Sequence, residues 1–206
     1  GVAVLLALNT GLRLGELCAL QFGDIDLKSG VVRVSKTVQR IPGEGDTRLA
    51  VQPPKSDSSR RAVPLPGDMA ALLGQLPRPD SAQRFFLTGT DTPMEPRTMQ
   101  YRYGALLKAA GITYRNFHAL RHTYASRCIE RGVDVKSLSE MLGHADVGTT
   151  LQFYVHSSME HKLRVIQSIC FLESALKEDF SPSPSPSGGT ETEQFRALLS
   201  KLSQMG

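Results

Sequence analysis

The sequence predicts a mainly α fold with a small antiparallel three-stranded β-sheet (α+β), and three observations carry that prediction. The 206 residues are 40% hydrophobic, enough for one good core but tight for two full domains. Val31–Val38 alternates and is rich in valine, and two further short strand candidates follow before Leu65. From Asp68 onward the apolar period becomes helical.

The elements follow in chain order. Val2–Leu8 is apolar without alternation and reads as a buried helix broken at Asn9-Thr10-Gly11, after which Leu14–Leu20 reads as a second short helix. Val31–Val38 alternates as a strand. Arg48–Gln52 and Arg60–Leu65 are two more, flanking a turn of Pro53, Pro54, Lys55, Ser56 and Asp57, and the three strands together make the expected sheet. Helical spacing then marks Met69–Leu76, Arg97–Ala110, Asn116–Arg131, Val135–Leu142, Val147–Tyr154 and Ser157–Leu176, punctuated by Gly111, Gly132 and Gly143. The main domain is expected over residues 1–178, followed by a flexible Ser/Pro/Gly linker over 179–189 that contains SPSPSPSGG. A last helix over 190–206 carries Phe195, Leu198, Leu199, Leu202 and Met205 as one apolar stripe, the pattern of a segment that docks on a partner, although a tail that frays or docks on its own chain fits it equally.

Charge and cysteine usage narrow the function classes. No stretch approaches eighteen consecutive apolar residues and the N-terminus lacks a signal-peptide pattern, so a cytoplasmic protein with no membrane span is expected. Cys18, Cys128 and Cys170 are widely separated and in no CxxC pair, which argues for reduced thiols and against a disulfide framework or zinc ribbon. Residues 1–169 carry 21 Lys and Arg against 15 Asp and Glu, while the remainder is acidic. Between Arg97 and Arg127 there are six basic side chains and no Asp or Glu. Such a run suits a polyanion, although a solvated positive face has the same composition.

The candidate site residues share one chemistry. Arg13, Lys55, His118, Arg121 and His144 are all donors suited to a phosphate, each beside a turn or a helix start. Arg13 leaves a glycine-flanked corner with Glu16 positioned to orient it, though an Arg–Glu pair holding two helices fits the same residues. Lys55 sits at the tip of PPKSDSSRR as a mobile point charge. His118 and Arg121 are three apart and therefore neighbours on one helical face. His118 and His122 also have the spacing of a zinc helix, but no Glu lies between them and no carboxylate ligand follows nearby, so no metal is expected. His144 follows Gly143 into a loop where Asp146 or Thr149 can cap the next helix. Tyr154 ends TTLQFYVH, and a phenol becomes a usable nucleophile when several cations favour its phenolate.

TGLRLGEL, PPKSDSSRR, HALRHT, LGH and TTLQFYVH occur in the order of the Arg…Lys…His-x-x-Arg…His/Trp…Tyr signature. On those motifs residues 1–165 resemble the catalytic domain of the tyrosine recombinases, the phage-integrase family, and most closely the integrases of phages and conjugative elements. The resemblance implies an integrase-like catalytic domain that cuts and rejoins double-stranded DNA without a cofactor. Arg13 and Arg121 would clamp the scissile phosphate with His118 and His144, Lys55 would protonate the leaving 5′-oxygen, and Tyr154 would form the 3′-phosphotyrosine. It also implies a homo-oligomer on DNA, a tetrameric synapse, in which a C-terminal segment packs on a neighbouring protomer. Family members carry an N-terminal core-binding domain, and this chain opens inside the first catalytic-domain helix, so an N-terminally truncated member is expected. A binding-only fragment without turnover and a phosphoesterase with a histidine nucleophile are the competing readings.

Overall fold

The computed structural model describes residues 1–43, 46–54, 56–152 and 163. Residues 1–157 form one compact unit and residues 158–206 another, of which Leu163 alone is described. The first unit runs α1 (Val2–Thr10), α2 (Leu14–Ala19), β1 (Ile25–Asp26), β2 (Val31–Val34), β3 (Thr37–Pro42), β4 (Thr47–Gln52), β5 (Arg61–Pro64), α3 (Gly67–Gly74), α4 (Pro96–Ala109), α5 (His118–Glu130), α6 (Val135–Leu142) and α7 (Gly148–Leu151). The mainly α architecture with small antiparallel sheets agrees with the sequence.

The sheet itself differs from expectation. Val31–Val38 is not one strand: β2 pairs antiparallel with β1 and β5, while β3 pairs antiparallel with β4 in a separate hairpin. Burial stays in phase through the break, with Val32, Val34 and Val38 all covered, so the alternation alone could not reveal it. The intervening inward position is Lys36, whose ammonium bonds Gln21 Oε1 and sits 3.1 Å from the Asp24 carboxylate. A cation at that position has its partners on the chain just before β1, and the backbone changes pairing partner on either side of it.

α1 also outlasts its predicted end. Thr10 donates to the Leu6 carbonyl at 2.6 Å and Asn9 to that of Leu5 at 2.8 Å, so both side chains bond back along the helix instead of breaking it. Gly11 then stops the helix at φ 63°.

Two apolar clusters result. The larger joins α1, α2, the strands, α3 and α4 through side chains such as Leu6, Leu17, Val32, Val63, Leu73 and Tyr103. The smaller comprises Ala125, Ile129, Leu138 and Leu142 of α5 and α6. Cys18 lies in the larger cluster, where burial pushes its thiol up to about 12, and Cys128 is half-buried. Among the described residues no helix is long and apolar enough to cross a membrane. The predicted continuation of α7 beyond Gln152, the helix over Ser157–Leu176 (Leu163 apart), Cys170, the linker and the last helix lie outside the described residues.

Candidate active site

The end of α6 gathers three arginines from three different elements. Gly143 closes that helix at φ 65°, which leaves its terminal carbonyls without intrahelical partners. Met141 O accepts from Arg61 Nε at 2.6 Å, Leu142 O from Arg121 Nη2 at 2.6 Å, and Gly143 O from Arg13 Nη2 at 3.1 Å. The negative end of a helix is where cations are favoured, so three successive carbonyls fix three guanidiniums side by side.

One carboxylate serves this group. Glu16, at the first turn of α2, accepts the Arg13 backbone N–H at 2.8 Å and Arg13 Nη1 at 2.9 Å. Its two oxygens also take a forked pair from Arg61 Nη1 and Nη2 at 2.9 and 2.8 Å. Burial opposes ionisation of Glu16, but the Arg61 hydrogen bond and charge, with Arg13 behind them, outweigh it and hold the carboxyl at about 2. Three guanidiniums stand against this one carboxylate, an excess of two positive charges; Arg13 and Arg61 bond it, and the Arg121 bonds go to backbone carbonyls instead. Gly15 lets α2 carry Arg13 and Glu16 to this place: a Cβ there would stand 2.5 Å from Thr37 Oγ1 and 2.7 Å from the Val38 carbonyl.

Arg121 is buried, at 2% exposure, and bridges two helix ends, since its Nη1 also donates to Gly11 O at 2.9 Å. Those two bonds use two of the five guanidinium hydrogens. Burial, then repulsion from Arg13, pulls Arg121 down to about 9, so it keeps its charge at neutral pH. Arg13, by contrast, is 37% exposed along its side chain.

The histidines differ from each other in setting. His144 is half-buried in the α6–α7 loop, with Nδ1 2.7 Å from the hydroxyl of the fully buried Thr150. Burial first, then the charges of Arg121, Arg13 and Arg61, lower its pKa to about 4. It is a neutral imidazole at pH 7. His118 begins α5, exposed, with its ring edge-to-face on His122 at 4.8 Å; partial desolvation, then His122, Arg121 and Arg13, push its pKa down. Asp146 Oδ1 accepts the Gly148 N–H at 3.1 Å at the start of α7.

Four of the six predicted positions, Arg13, His118, Arg121 and His144, therefore share one electrostatic site. Lys55 and Tyr154 lie outside the described residues. Sequence reasoning missed Arg61 and Thr150. Arg61 had a signal: it shares the inward phase of β5 with buried Val63 and Leu65, and a charged residue at an inward strand position needs partners.

A sequence model of the phage integrase family matches residues 2–161. The chain belongs to that family. A tyrosine recombinase XerC-like protein of Caldanaerobacter subterraneus subsp. tengcongensis is 30% identical over 185 residues, covering 80% of this chain and 47% of the relative. Tyrosine recombinase XerC of Pseudomonas savastanoi pv. phaseolicola is 34% identical over 164 residues, covering 78% and 48%. This phage-integrase chain thus spans about half the length of the curated relatives it matches. Among solved structures, the Tn1549 transposon integrase in complex with transposon right end DNA aligns with TM-score 0.64 and 25% identity over 82% of this chain and 58% of that one.

Proposed function

We propose that this chain is the catalytic part of a site-specific recombinase that cleaves and rejoins double-stranded DNA through a phosphotyrosine at Tyr154. The observation that carries the reading is the arginine group at the end of α6, with its excess of positive charge fixed on backbone carbonyls before any anion arrives. Groups held in place beforehand need no rearrangement as charge develops on a phosphorane. Arg13 and the unspent hydrogens of Arg121 would grip the nonbridging oxygens. With Thr150 donating to Nδ1, His144 would keep its proton on Nε2 and donate to the same oxygens, and His118 would do so from the start of α5.

The step balances without an outside energy source. The Tyr154 phenol releases its proton to solvent as a phenolate favoured by the nearby cations, its oxygen forms a bond to phosphorus as the bond to the 5′-oxygen breaks, and Lys55 supplies that 5′-oxygen with a proton. A 5′-hydroxyl attacking the phosphotyrosine reverses the exchange, so one phosphodiester-like bond is present throughout. The DNA held by the Tn1549 integrase supports duplex DNA as the substrate. Acting on it as a cytoplasmic homo-oligomer, four copies to a synapse, completes the reading.

The test is capture of a covalent adduct from a library of nicked duplexes with randomised sequence. The wild-type chain should yield a protein–DNA adduct that survives denaturation, and Tyr154→Phe should yield none while keeping its noncovalent affinity. Binding without any adduct from the wild-type chain would instead mean a binding-only fragment. Adduct formation by the Phe variant would move the nucleophile elsewhere.

A further inference from the structure

Arg61 is buried, at 5% along its side chain, and no part of the proposed chemistry uses it. Its bonds fan out to three segments: Glu16 on α2, Met141 O at the end of α6, and Ser59 O at 3.1 Å in the turn between β4 and β5. Gly143 makes room for it. A Cβ on Gly143 would stand 3.0 Å from both Cδ and Nη1 of Arg61, so the left-handed residue that ends α6 also admits the arginine's shaft.

The charge balance gives this placement a meaning. Glu16 Oε1 is shared, accepting from Arg13 Nη1 and Arg61 Nη1 at the same 2.9 Å. A buried carboxylate demands a full positive charge. Arg61, forked across both oxygens and almost wholly buried, meets that demand, whereas the Arg13 guanidinium touches one oxygen through Nη1, donates from Nη2 to Gly143 O and stays partly open to solvent. Remove the Arg61 charge, and Arg13 becomes the only guanidinium bonded to Glu16.

We infer that Arg61 is a positioning residue: by neutralising Glu16 it keeps the charge of Arg13 available to a phosphate. The inference rests on the recombinase reading for its consequence in catalysis, but the charge argument concerns phosphate binding and is testable without DNA. It makes an unusual demand on a double variant. Arg61→Gln leaves an unpaid negative charge that captures Arg13. Adding Glu16→Gln removes that charge and sets Arg13 free again, so the second substitution repairs the first.

The experiment measures inorganic phosphate affinity of the full chain by thermal shift or calorimetry, and single-turnover cleavage of the duplex recovered from the adduct library. Arg61→Gln is expected to weaken phosphate binding by about tenfold or more, and the double variant to recover to within about threefold of wild type. Cleavage rates should follow the same order. A structural role alone predicts that stability falls in Arg61→Gln and recovers in the double variant while phosphate affinity per folded molecule stays equal throughout; that equality would overturn the inference, as would a double variant that binds phosphate no better than the single one. Should Arg61→Gln not fold, Arg61→Lys and the double variant carry the test, because both leave Glu16 or its replacement neutralised. Near-wild-type phosphate binding by both supports the inference, and loss in both overturns it. The expected phosphate pattern without any wild-type adduct would sink the recombinase reading alone, whereas an adduct whose rate ignores Arg61 would sink the inference alone.

Discussion

The two apolar clusters of this molecule are held together by different forces, and the site lies on their border. The larger one is closed by extensive side-chain packing among α1, α2, the strands, α3 and α4. The smaller one, Ala125, Ile129, Leu138 and Leu142, has few apolar side chains of its own, and α6 is attached to the rest by arginine–carbonyl bonds to Met141, Leu142 and Gly143. The candidate site therefore sits where arginine–carbonyl bonds tie the end of α6 to Arg13, Arg61 and Arg121. A phosphate site needs polar groups held rigidly, and a seam between two cores supplies rigidity from both sides without filling the space between.

The sharpest way to break this contrast is to cut a large side chain from each cluster. Leu73→Ala, at 3% exposure in the larger cluster, should destabilise by about 2–5 kcal/mol and leave the cleavage rate per folded molecule unchanged. Leu138→Ala, fully buried in the smaller cluster, should cost a similar amount of stability and slow cleavage as well, because it loosens the helix whose end holds the arginines. Equal rates in the two variants, measured by single-turnover cleavage beside thermal unfolding, would erase the distinction.

Arg121→Lys acts directly on the seam. A lysine keeps the charge but has no planar fork to span Gly11 O and Leu142 O, so the cleavage rate should fall on the order of a hundredfold, or about 3 kcal/mol. The sequence alone framed clamp and tether as rival roles for the arginines. The structure shows the tether of Arg121, and the proposed clamp would use the same guanidinium, so the melting temperature should fall together with the rate. A variant that loses rate but no stability would show that the carbonyl bonds hold nothing together.

The smallest effect is a pH dependence. His144 has an ordinary value of 6.5 and a folded value of about 4, so folding favours the neutral ring. That contribution is complete above pH 6.5 and is lost as pH falls toward 4, with His118 shifted in the same direction. Solvent reaching both rings limits the loss to about 1 kcal/mol, or about 2–4 °C in melting temperature for a chain of this size. His144→Gln should flatten most of that limb. A limb unchanged in the variant would assign it to other groups.

What the sequence revealed, and what it concealed, follows from range. Val135–Leu142 was legible to the residue because its signals are local, an Asp134 side chain accepting the Ser137 N–H at one end and Gly143 at the other. The helix start near Asn116 and the Arg13–Glu16 pair were legible for the same reason. The change of partner after Val34 was not, since β2 and β3 keep one alternation while β2 pairs with the distant β5 and β3 with the next strand, β4. Arg61 stayed hidden because its meaning depends on Glu16, forty-five positions away. The roles of Lys55 and Tyr154 rest on the motif alone.

Serving three arginines with three consecutive carbonyls fixes the length of α6 at its end. One extra residue in the last turn would swing each following carbonyl by about 100° around the helix axis and hand every guanidinium the wrong oxygen or none. The hairpin between Gly43 and Asp46 stands at the other extreme. There Gly43 N donates to Asp46 O at 2.7 Å, and loop entropy grows only slowly with added residues. Insertions and fused peptides belong at that tip, while the end of α6 tolerates substitution only where chain length is kept.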